Sequence, residues 1–128
     1  MESRYYNWNE NPLQKKVGDC QIRGVATALN QYWDKTLTDL YNVSLEVKNV
    51  PNSDEVLKKY MKDLGYTYIT FKAIKGQKRM NVKRFAEEFQ EGRYLLNCAC
   101  HIVAVVDGYY YDTWNSGEKC VYGYWKTK

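Results

Sequence analysis

The chain has 128 residues, 45% of them hydrophobic and 27% charged, with a net charge of +4. That length allows one domain with a continuous core that needs no disulfide or metal staple. The mild charge is spread along the chain, and no stretch approaches the ~18 apolar residues of a membrane span, so neither a nucleic-acid-binding nor a membrane-spanning protein is expected.

Residues 1–17 are polar and aromatic, with Asn7, Asn9, Asn11 and Pro12 as turn-formers, and read as an irregular leader. They contain no apolar run of the signal-peptide type, so a reducing cytoplasm, free thiols and no cofactor are expected. Asp19 reads as a helix N-cap. Behind it Ile22, Val25, Ala26, Leu29 and Trp33 fall on one helical face. A second helix is expected from Thr38, carrying Leu40, Tyr41 and Leu45. A third is capped by Ser53, buries Val56, Leu57, Tyr60, Met61 and Leu64, and closes at Gly65.

After Gly65 the period changes to alternation. Tyr66 to Ala73 predicts a strand, and Asn81 caps a short helix (Val82, Phe85, Ala86, Phe89) ending at Gly92. Lys75, Lys78 and Arg79, between those two elements, read as a solvated loop rather than a nucleic-acid site. Strands are then expected at Tyr94–Cys98, His101–Val106, Tyr109–Trp114 and Val121–Trp125, with Asp107-Gly108 a two-residue hairpin signal. Helices followed by an antiparallel sheet make an α+β fold in one domain spanning residues 1–128.

His101 is the single histidine and hence the single candidate for an imidazole base. Cys20 falls in the first turn of a buried helix, where the helix end favours a thiolate. If Asp107-Gly108 forms the turn, Val103 lies opposite Asp112 and His101 opposite Trp114. Asp112 is then a diagonal neighbour of His101 on the same face, placed to orient the ring. A slip of one residue would reverse this, and Asn115 is the second choice. Cys98, Cys100, His101 and Cys120 offer zinc-type ligands, but a Cys-X-Cys-His run inside a strand sends alternate side chains to opposite faces, so no metal is expected. Cys98 and Cys100 read as small packing residues.

The chain order of Cys20, His101 and Asp112 resembles that of papain-like cysteine peptidases. The run Gln14-Lys-Lys-Val-Gly-Asp-Cys20 is most similar to the bacteriocin-leader peptidases attached to ABC exporters, although Gln21 follows Cys20 where those enzymes carry glycine. Asp112-Thr113-Trp114 is similar to the Asn-Ser-Trp of papain. The resemblance implies a papain-like fold, a thiol peptidase acting on a peptide or protein substrate, Gln14 as an oxyanion-hole donor, and Trp114 as a shield over the orienting bond. Arg23, one turn after Cys20, is a further candidate for ordering the site. An acyltransferase of the transglutaminase or arylamine acetyltransferase type, a peptidoglycan amidase, and an inactive binding module on the same scaffold are the alternatives.

Overall fold

The computed structural model describes residues 3–128. Its elements in chain order are β1 (Tyr5–Asn7), α1 (Cys20–Leu29), α2 (Trp33–Val47), α3 (Asp54–Asp63), β2 (Tyr68–Thr70), α4 (Val82–Glu88), β3 (Arg93–Cys98), β4 (His101–Val106), β5 (Tyr109–Asp112) and β6 (Val121–Lys126). The fold is mixed α+β, as expected. Met1 and Glu2, the first residues of the expected leader, lie outside the described residues.

The six strands form one sheet in the order β1-β5-β4-β3-β6-β2. β4 sits in its interior, and all six of its residues are buried, which is what an unbroken apolar run predicts for a strand covered on both faces. Alternation along the strands divides the core. Leu95, Ile102, Ala104 and Trp125 face α1, α2 and α3, whereas Leu96, Val103, Val105, Tyr110 and Val121 face α4 with Phe85 and Ala86.

Three helix boundaries and part of the sheet differ from expectation; α4 ends at Glu88 rather than at Gly92. Asn30 adopts the left-handed conformation (φ 54°) and returns its N–H to Ala26 and Thr27, closing α1 after Leu29. Trp33 therefore opens α2, five residues before the expected start at Thr38. Part of the leader is not irregular: Tyr5–Asn7 pairs in parallel with Tyr110–Asp112, so the sheet is mixed rather than antiparallel throughout. β2 is only three residues long and β5 stops at Asp112. The caps read from sequence stand at α3 and α4, where the side chains of Ser53 and Asn81 accept from the N–H groups of Val56 and Arg84.

α1 lies close against the sheet at Gly24. A Cβ there would meet Ile102 Cγ2 at 2.9 Å and Leu95 Cδ1 at 3.2 Å. Gly24→Ala should therefore lower the urea midpoint. Overpacking typically costs about 1–3 kcal/mol, more than the ~1 kcal/mol gained in helix propensity, and the branched Ile102 has little rotamer freedom to yield. An unchanged or higher midpoint would show that the α1–β4 contact is looser than this.

Candidate active site

Cys20 is the first residue of α1. Asp19 occupies the N-cap position, but its side chain makes no capping bond, contrary to the sequence-based expectation. Its carboxylate is drawn instead to side chains of α1, α2 and the leader: Arg23 Nε at 2.8 Å, Trp33 Nε1 at 3.0 Å and Asn11 Nδ2 at 3.3 Å. The N–H groups of Cys20, Gln21 and Ile22 are consequently left without protein acceptors among the described residues. An uncapped helix start concentrates partial positive charge beside the Cys20 thiol.

His101 opens β4 after the tight Ala99-Cys100 turn, in which Cys100 has φ 53°. The hairpin to β5 turns at Asp107 and Gly108, both with positive φ. The observed pairs Val106↔Tyr109, Val105↔Tyr110 and Ala104↔Tyr111 are in the register expected from that turn. This register brings Asp112 to His101, with Nε2 and Oδ2 2.6 Å apart.

Asp112 is only 1% exposed, and both of its oxygens are occupied. Oδ2 also accepts from Ser116 Oγ at 2.6 Å, while Oδ1 accepts from the Thr113 N–H at 2.8 Å and Arg23 Nη1 at 3.3 Å. Arg23 thus bridges Asp19 and Asp112, binding the helix start to the end of β5. The Trp114 ring centre lies 5.0 Å from that of the His101 ring. Asn115, the alternative orienter, accepts from Tyr110 Oη and the Gly117 N–H and does not engage His101.

The charges reinforce one another. Burial pushes the Cys20 thiol up, but hydrogen bonds with His101 and the Ile102 backbone, together with the His101 and Arg23 charges, hold it below its ordinary value. Burial pushes His101 down, yet its bonds to Asp112 and Cys20 prevail and raise it to about 9. Asp112 is lifted by burial and lowered further by His101, Ser116 and the Thr113 N–H, ending below the usual carboxylate range. With Nε2 committed to Asp112, Nδ1 is the ring nitrogen left for Cys20. These directions favour a thiolate–imidazolium pair at neutral pH.

Cys20 and His101 open on a cleft of about 440 Å³, whose walls include Gly18, Asn52, Asp54, Asn97 and Tyr122. Gln14, for which the resemblance implies an oxyanion role, is not among its lining residues. Gln14 has φ 58°, and its amide donates to the carbonyls of Asn9 and Asn11, fastening the leader turn beside a separate depression. Gln14→Ala should therefore change turnover less than about threefold. Loss of an oxyanion donor costs roughly a hundred- to a thousand-fold, so a drop on that scale would return Gln14 to the site.

The other thiols are placed differently from Cys20. Cys98 is buried in the α4-side core, and burial pushes its thiol well up; Cys100 is exposed at the turn. Among the described residues no three His, Cys, Asp or Glu side chains lie together as a metal-binding group.

No family model, curated protein or solved structure matches the chain. The geometry itself places a thiol at a positive helix end, an imidazole on the same cleft, and a buried carboxylate behind the ring. Ser116 went unrecognised in sequence. It lies four residues after Asp112 and reaches back only because β5 ends there in a turn, for which Asn115-Ser116-Gly117 was the available signal.

Proposed function

We propose that the protein is a cysteine-dependent hydrolase of the papain-like class, acting on peptide bonds of a peptide or protein substrate. The observation that carries this reading is the buried 2.6 Å bond between His101 and Asp112, with Cys20 lining the same cleft as His101. The order nucleophile, base, orienter along the chain supports a papain-like arrangement, as does a nucleophile-bearing helix packed on the strand that bears the base. No helix among the described residues is long and apolar enough to cross a membrane.

In this mechanism Cys20 Sγ attacks the substrate carbonyl carbon, forming a C–S bond as the carbonyl electron pair moves onto oxygen. The oxyanion faces the uncapped N–H of Cys20. Collapse expels the amine, which takes a proton from the His101 imidazolium. Water then attacks the acyl-thioester and gives its proton to the neutral ring. The C–S bond breaks, the carboxylic acid departs, and the thiolate–imidazolium pair is restored. Asp112 keeps the ring oriented throughout and stays ionised.

Incubation with a complex peptide library, with new termini read by mass spectrometry, tests the reading. Cleavage by the wild type and none by Cys20→Ala is the expected result. A wild-type protein that creates no new termini, although Cys20 alkylates as an activated thiolate, would sink the peptidase assignment. The pH profile adds a second check. His101 is raised to about 9, so the imidazolium needed to protonate the leaving amine is lost as pH rises through that value. Cleavage should therefore fall on the alkaline side near pH 9, rather than near the ordinary histidine range. A decline centred near pH 6.5 would mean that His101 has no such partners.

A further inference from the structure

The cationic loop between β2 and α4 stands beside the candidate cleft. Lys72, Lys78 and Arg79 line a depression of about 130 Å³ together with Arg84 of α4, over an apolar floor that includes Phe71 and Met80. Arg84 is paired with Glu88 at 3.0 Å, but Lys72, Lys78 and Arg79 form no ion pair among the described residues. Like charges gathered around one depression repel, and an anionic ligand relieves that repulsion.

Strand β6 and the Arg79 side chain link this depression to the cleft. Val121 lines the depression and the next residue, Tyr122, lines the cleft with Cys20 and His101. The Arg79 guanidinium sits 5.9 Å from the centre of the Tyr122 ring, so its charge is held over the cleft wall. Inside the cleft, the Asp54 carboxylate is already engaged by Lys58 at 3.0 Å and Asn97 at 3.3 Å, which limits its repulsion of an incoming anion.

Resting on the thiol-hydrolase reading of the cleft, we propose that this loop selects polypeptide substrates carrying Asp or Glu side chains on one side of the bond that Cys20 attacks. Arg79 is the main selector, supported by Lys78 and Lys72. The depression has room for one or two side-chain carboxylates. It is not the long cationic track that a nucleic-acid backbone requires.

Peptides with an internal vinyl sulfone trap the Cys20 thiolate through an S–C bond while offering residues on both sides of the reacting centre. Three matched sets carry paired Glu, Ala or Lys residues on one side or the other, and modification of Cys20 is followed by mass spectrometry. At low salt one Glu set should react about tenfold faster than its Ala counterpart, the sum of two or three exposed charge pairs. That ratio should shrink in about 0.5 M salt. It should fall toward one in Lys78→Gln/Arg79→Gln and turn in favour of Lys probes in Arg79→Glu. Equal rates for the three sets, or a Glu preference undiminished in the double variant, would overturn the assignment. Wild-type iodoacetamide kinetics separate the two levels. Brisk labelling without charge preference sinks only the role of the loop, whereas labelling as an ordinary thiol sinks the catalytic reading and the loop proposal together.

Discussion

Replacing His101 with alanine should slow iodoacetamide alkylation of Cys20 at pH 6 by at least tenfold and reduce hydrolysis much further. A thiol at its ordinary value of 9.0 is only about one part in a thousand ionised at that pH. In the wild type, the hydrogen bond of His101 is the first influence that pulls Cys20 below that value against its burial, and the His101 charge adds to it. The rate does not track ionisation in full, because thiolates of lower pKa are weaker nucleophiles, with a Brønsted slope of about 0.4–0.5. The Ile102 N–H and Arg23 also remain in the variant, so part of the shift survives. Hydrolysis loses more, because the leaving amine no longer has a proton donor, and general acid–base catalysis is worth roughly a hundred- to ten-thousand-fold. Since His101 is only 7% exposed, its removal leaves a gap beside Asp112. Partial recovery of hydrolysis with added imidazole would distinguish lost chemistry from a collapsed fold. An alkylation curve that superimposes on the wild type would mean that Cys20 and His101 do not form a pair.

The parts of this site that follow local rules were legible in sequence. Asp107-Gly108 admits one short hairpin, and that turn sets the β4–β5 register which delivers Asp112 to His101. Ser53 and Asn81 cap the helices they precede because nothing else competes for their side chains. Asp19 shows where local reasoning stops. Its carboxylate had an acceptable cap within reach, but Arg23, Trp33 and Asn11 converge on it from three segments, and their charge and number prevail. Gln14 is a similar case. A six-residue offset from Cys20 says nothing of the turn at Asn9–Gln14, which spends the amide on its own backbone. β1 carries too few residues to show a period, and it becomes a strand only because β5 presents it with a free edge.

Asp112→Asn should be far more damaging than its near-identical shape suggests. The Asp112 carboxylate receives four donors: His101 and Ser116 at Oδ2, Thr113 N–H and Arg23 at Oδ1. An amide offers one acceptor oxygen, and its NH2 must face the other pair of donors. With nitrogen in the Oδ1 place, it opposes a backbone N–H and a guanidinium, neither of which can accept. With nitrogen in the Oδ2 place, it meets the His101 nitrogen, and only the Ser116 hydroxyl can rotate to accept. Either choice leaves a buried donor unpaired, Arg23 loses one of its two carboxylates, and the imidazolium loses its counter-charge. Breaking a buried charged contact of this kind costs about 3–5 kcal/mol, which a urea titration would register as a large loss of midpoint. Turnover should fall by up to about ten-thousand-fold, the scale seen when a triad aspartate elsewhere becomes asparagine. His101 should also titrate lower, moving the alkaline limb of activity down from about 9 toward the ordinary histidine range. Normal stability with an unmoved alkaline limb would show that Asp112 only orients the ring and that its charge is dispensable. The Asp19–Arg23–Asp112 bridge would then be a tie between α1 and β5 with no part in setting the thiolate.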